Sequence, residues 1–100
     1  MSMKPYELER KTIISKEAKE LGTVTGVEID SSTWNVTHLQ VGLVDRVLHS
    51  LDLTHEKKPG EKFVEILIPT KTVEMVADLI VLNISIDELK TIVEERNLHN

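Results

Sequence analysis

Cysteine is absent from the 100-residue chain. Disulfides and thiolate metal sites are thereby excluded, and cysteine usage places no constraint on the compartment. Aromatic residues are scarce, with one Phe, one Trp and one Tyr, so the core is expected to be aliphatic. Long apolar runs are missing as well. The longest aliphatic run is Leu79-Ile80-Val81-Leu82, far below the ~20 residues of a membrane-crossing helix. The opening residues Met1 to Tyr6 lack the apolar run of a secretory signal, and the expected location is cytoplasmic. Positive charge is in deficit: 12 Lys and Arg face 17 Asp and Glu, for a net charge of −5. Phosphate neutralisation supplies much of the affinity for nucleic acid, so this balance disfavours a nucleic-acid partner. The same sign discourages docking on an anionic membrane.

What is present is a 40% apolar, 29% charged chain, enough for one domain with a modest core. Its centre is Leu21 to Asp30, a polar turn at Ser31-Ser32-Thr33, and Trp34 to Val41. The pattern predicts two strands that both change face. Val24 has one parity and Val27 with Ile29 the other, with Gly26 at the switch, as a bulge requires. Trp34 and Val36 likewise oppose Leu39 and Val41 in parity. Gly22 and Gly26 are expected to shape the bend, and Asp30 with its serines to form the turn. Such strands suit a coiled sheet better than a flat one.

Around this centre, residues 1–11 form a polar segment anchored by Tyr6 and Leu8. Thr12 to Ser15 predicts a strand, and Lys16 to Glu20 a charged turn. Val44, Val47, Leu48 and Leu51 fall at helical spacing, with Asp52 suited to the left-handed residue just past a helix. Thr54 to Lys62, containing Pro59-Gly60, predicts an exposed turn. Phe63 to Ile68 predicts a strand closed by Pro69. Val73 and Val76 suggest a single helical turn, and Leu79 to Leu82 the last strand. Ser85-Ile86-Asp87-Glu88 has the form of a capping box. It opens an amphipathic helix through Ile86, Leu89, Ile92 or Val93, and Arg96. The expected organisation is residues 1–11 as N-terminal segment, 12–84 as the domain, and 85–100 as C-terminal helix and tail.

The residues announce no chemistry. His38, His49, His55 and His99 lack the close spacing of a metal site; the best cluster, His49 and His55 with Asp45, Asp52 and Glu56, lies beside a loop. Ser31 and Ser32 lack a nucleophile's surroundings, and Gly22 and Gly26 lie in a strand rather than a phosphate loop. Arg46, Lys57, Lys58 and Lys62 form the one basic concentration, diluted by Glu56 and Glu61 and without aromatic platforms. No enzyme, metal or cofactor is expected. The informative feature is apolar character on both faces of the last two strands. Phe63 and Leu67 oppose Val64, Ile66 and Ile68; Leu79 and Val81 oppose Ile80 and Leu82. One set fills the interior, and the other is covered by the helices or by a partner. Phe63, Leu67, Leu79, Val81, Leu89 and Val93 are the candidate protein-interaction residues.

The order of elements resembles the PRC-barrel family. Gly22-Thr-Val-Thr-Gly-Val-Glu-Ile-Asp30 is similar to its G-x-V-x-D-V-x-I-D strand, and Trp34 to Val41 to the partner strand. Ile68-Pro69 through Val76-Ala77-Asp78-Leu79-Ile80-Val81-Leu82 resembles the I-P-V-x-x-V-x-x-V-G-D-x-I-x-L close of the barrel. Ala77 stands where glycine is usual, and Asp52 where the archaeal group often has glycine. The segment Val44 to Leu53 and the C-terminal Ser85 to Leu89 look most like archaeal stand-alone members, which resemble the CdpB cell-division proteins. The resemblance implies an all-β, six-stranded PRC-like barrel with a short inserted helix and a C-terminal helix. It also implies a non-enzymatic adaptor: a homodimer, or a heterodimer with another PRC-barrel protein, bridging to a SepF-like division protein. The alternative it implies is an RNA-processing or ribosome-assembly factor, as in RimM.

Overall fold

A computed structural model describes residues 5–57 and 59–98, with side chains over 7–57 and 59–94. A short helix α1 (Pro5–Leu8) leads into β1 (Thr12–Ile14), β2 (Glu20–Asp30) and β3 (Asn35–Leu43). Helix α2 (Asp45–Ser50) and a 3₁₀ turn (Thr54–Glu56) precede β4 (Val64–Pro69). A second 3₁₀ turn (Thr70–Thr72) is followed by β5 (Val73–Val76), β6 (Leu79–Leu82) and α3 (Ile86–Leu98). The prediction for Tyr6 falls on a side chain outside those described, and His99 lies outside the described residues.

The six strands of the described residues belong to one sheet, in the order β4-β3-β2-β1-β6-β5. Every pair is antiparallel except β1 with β6, which is parallel. The two edge strands, β4 and β5, are joined only by Thr70–Thr72. A flat sheet of this width would hold its edges about 24 Å apart, whereas such a link spans at most about 14 Å. The sheet is therefore curled until its edges approach. Among the described residues no backbone ladder joins β4 to β5. Thr70 braces the seam, its Oγ1 donating to the Val36 and Thr37 carbonyls of β3 at 3.1 and 3.2 Å.

Bulges in the long strands contribute to the curl. On β2, Val24 pairs with Val41 and Gly26 with Gln40, so Thr25 is the extra residue. On β3, Glu28 pairs with His38 and Ile29 with Val36, so Thr37 is extra. Each extra residue reverses the face presented afterwards. Opposite β1, Ile13 pairs with Gly22 and Ile14 with Glu20, so Leu21 is extra as well, and Leu21, Val24, Leu39, Val41 and Leu43 all reach the core with Ile13, Ile68, Ile80 and Leu82. Helix α2 closes part of that core with Val47 and Leu48. It ends with Asp52 at φ 60, Asp52 N donating to the His49 carbonyl and Leu53 N to the Leu48 carbonyl. That is a Schellman closure with aspartate in the left-handed place.

The helical turn expected from Val73 and Val76 is instead strand β5. Its pairing with β6 slips between Val73 and Met75, leaving Glu74 as an extra residue. Val73 and Val76 therefore share a face at a spacing of three, which mimics a helix. Trp34, expected to begin β3, lies in the turn before it.

Helix α3 opens with the reciprocal capping box: Glu88 N donates to Ser85 Oγ at 3.1 Å, and Ser85 N to Glu88 Oε1 at 3.2 Å. The β1–β2 turn supplies a further cap, because Glu17 Oε1 accepts from Ile86 N at 3.1 Å. Lys16 Nζ lies 3.2 Å from Glu88 Oε1.

Candidate functional site

Residues paired directly across a sheet share a face, and so do residues two apart along a strand. Ile13, Ile80 and Val76 thus face inward, and Ile14, Val81, Leu79 and Met75 outward. Met75 is 54% and Leu79 43% exposed, while Ile14 and Val81 are half-buried. The outer face of β5, β6 and β1 therefore carries an apolar stripe. Met75 extends the candidate surface, and only the bulge at Glu74 reveals its side of the strand.

On β4, Leu67 is half-buried and shares the outer face with Glu65, which accepts from Thr25 Oγ1 at 2.6 Å. Phe63, just before β4, lays its ring over Gly42 and remains 37% exposed. Beside it lies an open depression of about 570 Å³ lined by Glu56, Glu61, Lys62, Phe63, Val64 and Glu65. Leu89 leaves the candidate surface: it is 0% exposed and belongs to the core. Val93 is half-buried and packs against that core. The helical stripe that suggested a docking face is the one by which α3 caps the sheet.

The predicted bend residues lie on the β2–β3 hairpin. A Cβ on Gly22 would fall on the Gly42 carbonyl oxygen, and one on Gly26 would meet Gln40 Oε1 at 2.7 Å. Asp30 Oδ1 accepts from Ser32 N at 2.8 Å and from Ser32 Oγ at 2.7 Å. The Ser32 hydroxyl, and then its backbone N–H, holds the Asp30 carboxyl below its ordinary pKa. Trp34 N donates to the Asp30 carbonyl at 2.6 Å, and Trp34 sits at φ 62 with 78% of its surface exposed. Ile29 and Val36, cross-strand partners nearby, are also exposed.

The polar clusters are spread out. His38 Nδ1 lies 3.0 Å from Thr37 Oγ1 and 3.7 Å from Glu28 Oε1. His55 lies 3.1 Å from Glu56, and His49 is exposed on α2. Among the described residues no three His, Asp or Glu side chains converge on a common point. Lys57 is tied to Asp45 at 3.0 Å, and Lys58 lies outside the described residues. No described helix is long and apolar enough to cross a membrane.

No protein-family model matches the chain, and no curated protein matches it. Among solved structures it is similar to the putative 16S ribosomal RNA processing protein RimM of Pseudomonas aeruginosa, with a TM-score of 0.56 and 14% identity. The similarity covers 86% of this chain and 46% of that one, so the chain spans about half of RimM's length. RimM is a PRC-barrel protein, and the curled six-stranded sheet described above is accordingly PRC-barrel-like.

Proposed function

We propose that the chain is a non-enzymatic assembly adaptor that dimerises through the outer face of β1, β5 and β6. The observation carrying this reading is the stripe of exposed Met75 and Leu79 beside half-buried Val81 and Ile14. Contiguous apolar surface of this kind is uncommon on monomers unless it binds something. The partner copy is a second identical chain, or another PRC-barrel protein.

Two settings are compatible with such an adaptor. The fold similarity to a putative 16S ribosomal RNA processing protein supports work in RNA processing or ribosome assembly. The sequence resemblance to archaeal stand-alone PRC-barrel proteins supports a division adaptor bridging to a SepF-like protein. Analytical ultracentrifugation at micromolar concentration is expected to show a dimer that Leu79→Glu converts to a monomer. A wild-type monomer across the micromolar range removes the dimer. Retention by immobilised SepF favours the division setting. Salt-sensitive RNA binding, lost on changing Lys57 and Lys58, favours the other.

A further inference from the structure

The β2–β3 hairpin projects from the sheet. Its neighbour β1 pairs with β2 only opposite residues 20–23, and β4 reaches β3 only from His38 onward. Between Glu28 and Thr37 no strand flanks the hairpin among the described residues, and Thr70 touches it at its base through the Val36 and Thr37 carbonyls. At its end stands the chain's single tryptophan. Trp34 is 78% exposed and has a positive φ of 62, a conformation that glycine or asparagine adopts at lower cost. Fold stability alone explains neither the residue type nor its place. Ile29 and Val36 add exposed apolar surface to the same end.

Charge indicates what meets this end. From Glu20 to Asp45 the sequence contains no Lys or Arg, while Asp30 and, two residues back, Glu28 stand at this end of the hairpin. The two serine hydrogen bonds keep Asp30 ionised as well as ordered. Nucleic acid is disfavoured, because an acidic hairpin repels the phosphates that would have to approach Trp34. A second copy docking end to end is disfavoured too, since it brings the same acidic residues against Asp30 and Glu28. A tryptophan anchor with acidic neighbours matches an apolar cleft rimmed by basic side chains.

We infer that the β2–β3 hairpin is a docking finger that inserts Trp34 into an apolar cleft, rimmed by Lys or Arg, on a different protein. The finger shares no residue with the stripe around Leu79, so the chain has two docking surfaces and either can fail without the other.

The test is selection of a displayed library of random short peptides on the full chain. Enriched peptides are expected to combine aromatic or aliphatic residues with Lys or Arg. Their binding is expected to shift the Trp34 emission to the blue. Trp34→Gly is expected to weaken a labelled peptide at least about tenfold while leaving the melting temperature unchanged or higher. Asp30→Asn, which retains the oxygen that accepts from Ser32, is expected to weaken binding and flatten its salt dependence. Leu79→Glu is expected to leave peptide binding intact. The inference is overturned by acidic or purely polar peptides, by a library that yields no binder, or by binding indifferent to Trp34→Gly. A blue shift produced by raising the concentration of the chain alone also overturns it, and so does quenching of Trp34 by a single-stranded RNA oligonucleotide.

Discussion

Gly22 and Gly42 show how one residue's identity is set by another strand. Alanine at Gly22 would drive its Cβ into the Gly42 carbonyl, a backbone group fixed between two ladders. Alanine at Gly42 would first meet the Phe63 ring, at 2.6 Å, and a half-exposed side chain can swing aside. We predict that Gly22→Ala costs about 3 kcal/mol and Gly42→Ala about 1 kcal/mol, measured by urea unfolding; equal losses would contradict this account. At Trp34 the sign reverses. Trp34→Gly is expected to stabilise the fold by about 1 kcal/mol, because glycine relieves the positive φ. A loss of similar size would mean that the indole packs on its own chain. Gly22 was identifiable as a shaping residue from the sequence, but its reason lies in the register with β3. Trp34 escaped because parity locates side chains on faces and says nothing about a backbone turning left-handed.

At the level of elements, the clearest sequence signal was the capping box. Four consecutive residues, Ser85 to Glu88, specify both hydrogen bonds of the helix start. The Glu88 carboxyl is held below its ordinary value of 4.5, first by the Ser85 N–H and then by Lys16. A depressed carboxylate stabilises the fold fully above its unfolded pKa, and the contribution disappears as pH falls through the folded value. Amide protection in the first turn of α3, taken relative to the intrinsic exchange rate at each pH, is therefore expected to stay high above pH 4.5 and to fall on acidification below it. Glu88→Gln should blunt that acid response, and an unchanged profile would assign it elsewhere. Ser85→Ala is expected to cost about 1 kcal/mol. β5 is the contrary case. A helix and a bulged strand both place Val73 and Val76 on one face, so spacing alone could not separate them.

The whole molecule depends on contacts that no local pattern contains. The sequence contained the parity switches that curl the sheet, but not the parallel β1–β6 pair or the approach of β4 and β5 across Thr70–Thr72. Nor did it decide between core and surface for Leu89, since an amphipathic stripe suits intramolecular packing and docking equally. Fully buried, Leu89 is expected to cost about 3 kcal/mol when replaced by alanine, whereas Leu79→Ala should change stability little; reversed magnitudes would exchange their roles. The β1–β6 pair also dictates an order of events during folding. The β2–β3 hairpin is local in sequence and can form early, with β4 joining across the α2 segment, but β1 waits beside it until residues 79–81 arrive. Closing that long loop is entropically costly, and such non-local pairing slows folding. Ile80→Val should therefore mainly accelerate unfolding, while Val41→Ala should mainly slow folding. On the ribosome, no first half of this domain can complete itself. Until the last strand emerges, the nascent chain carries an open apolar sheet edge that must be kept from pairing with a neighbour.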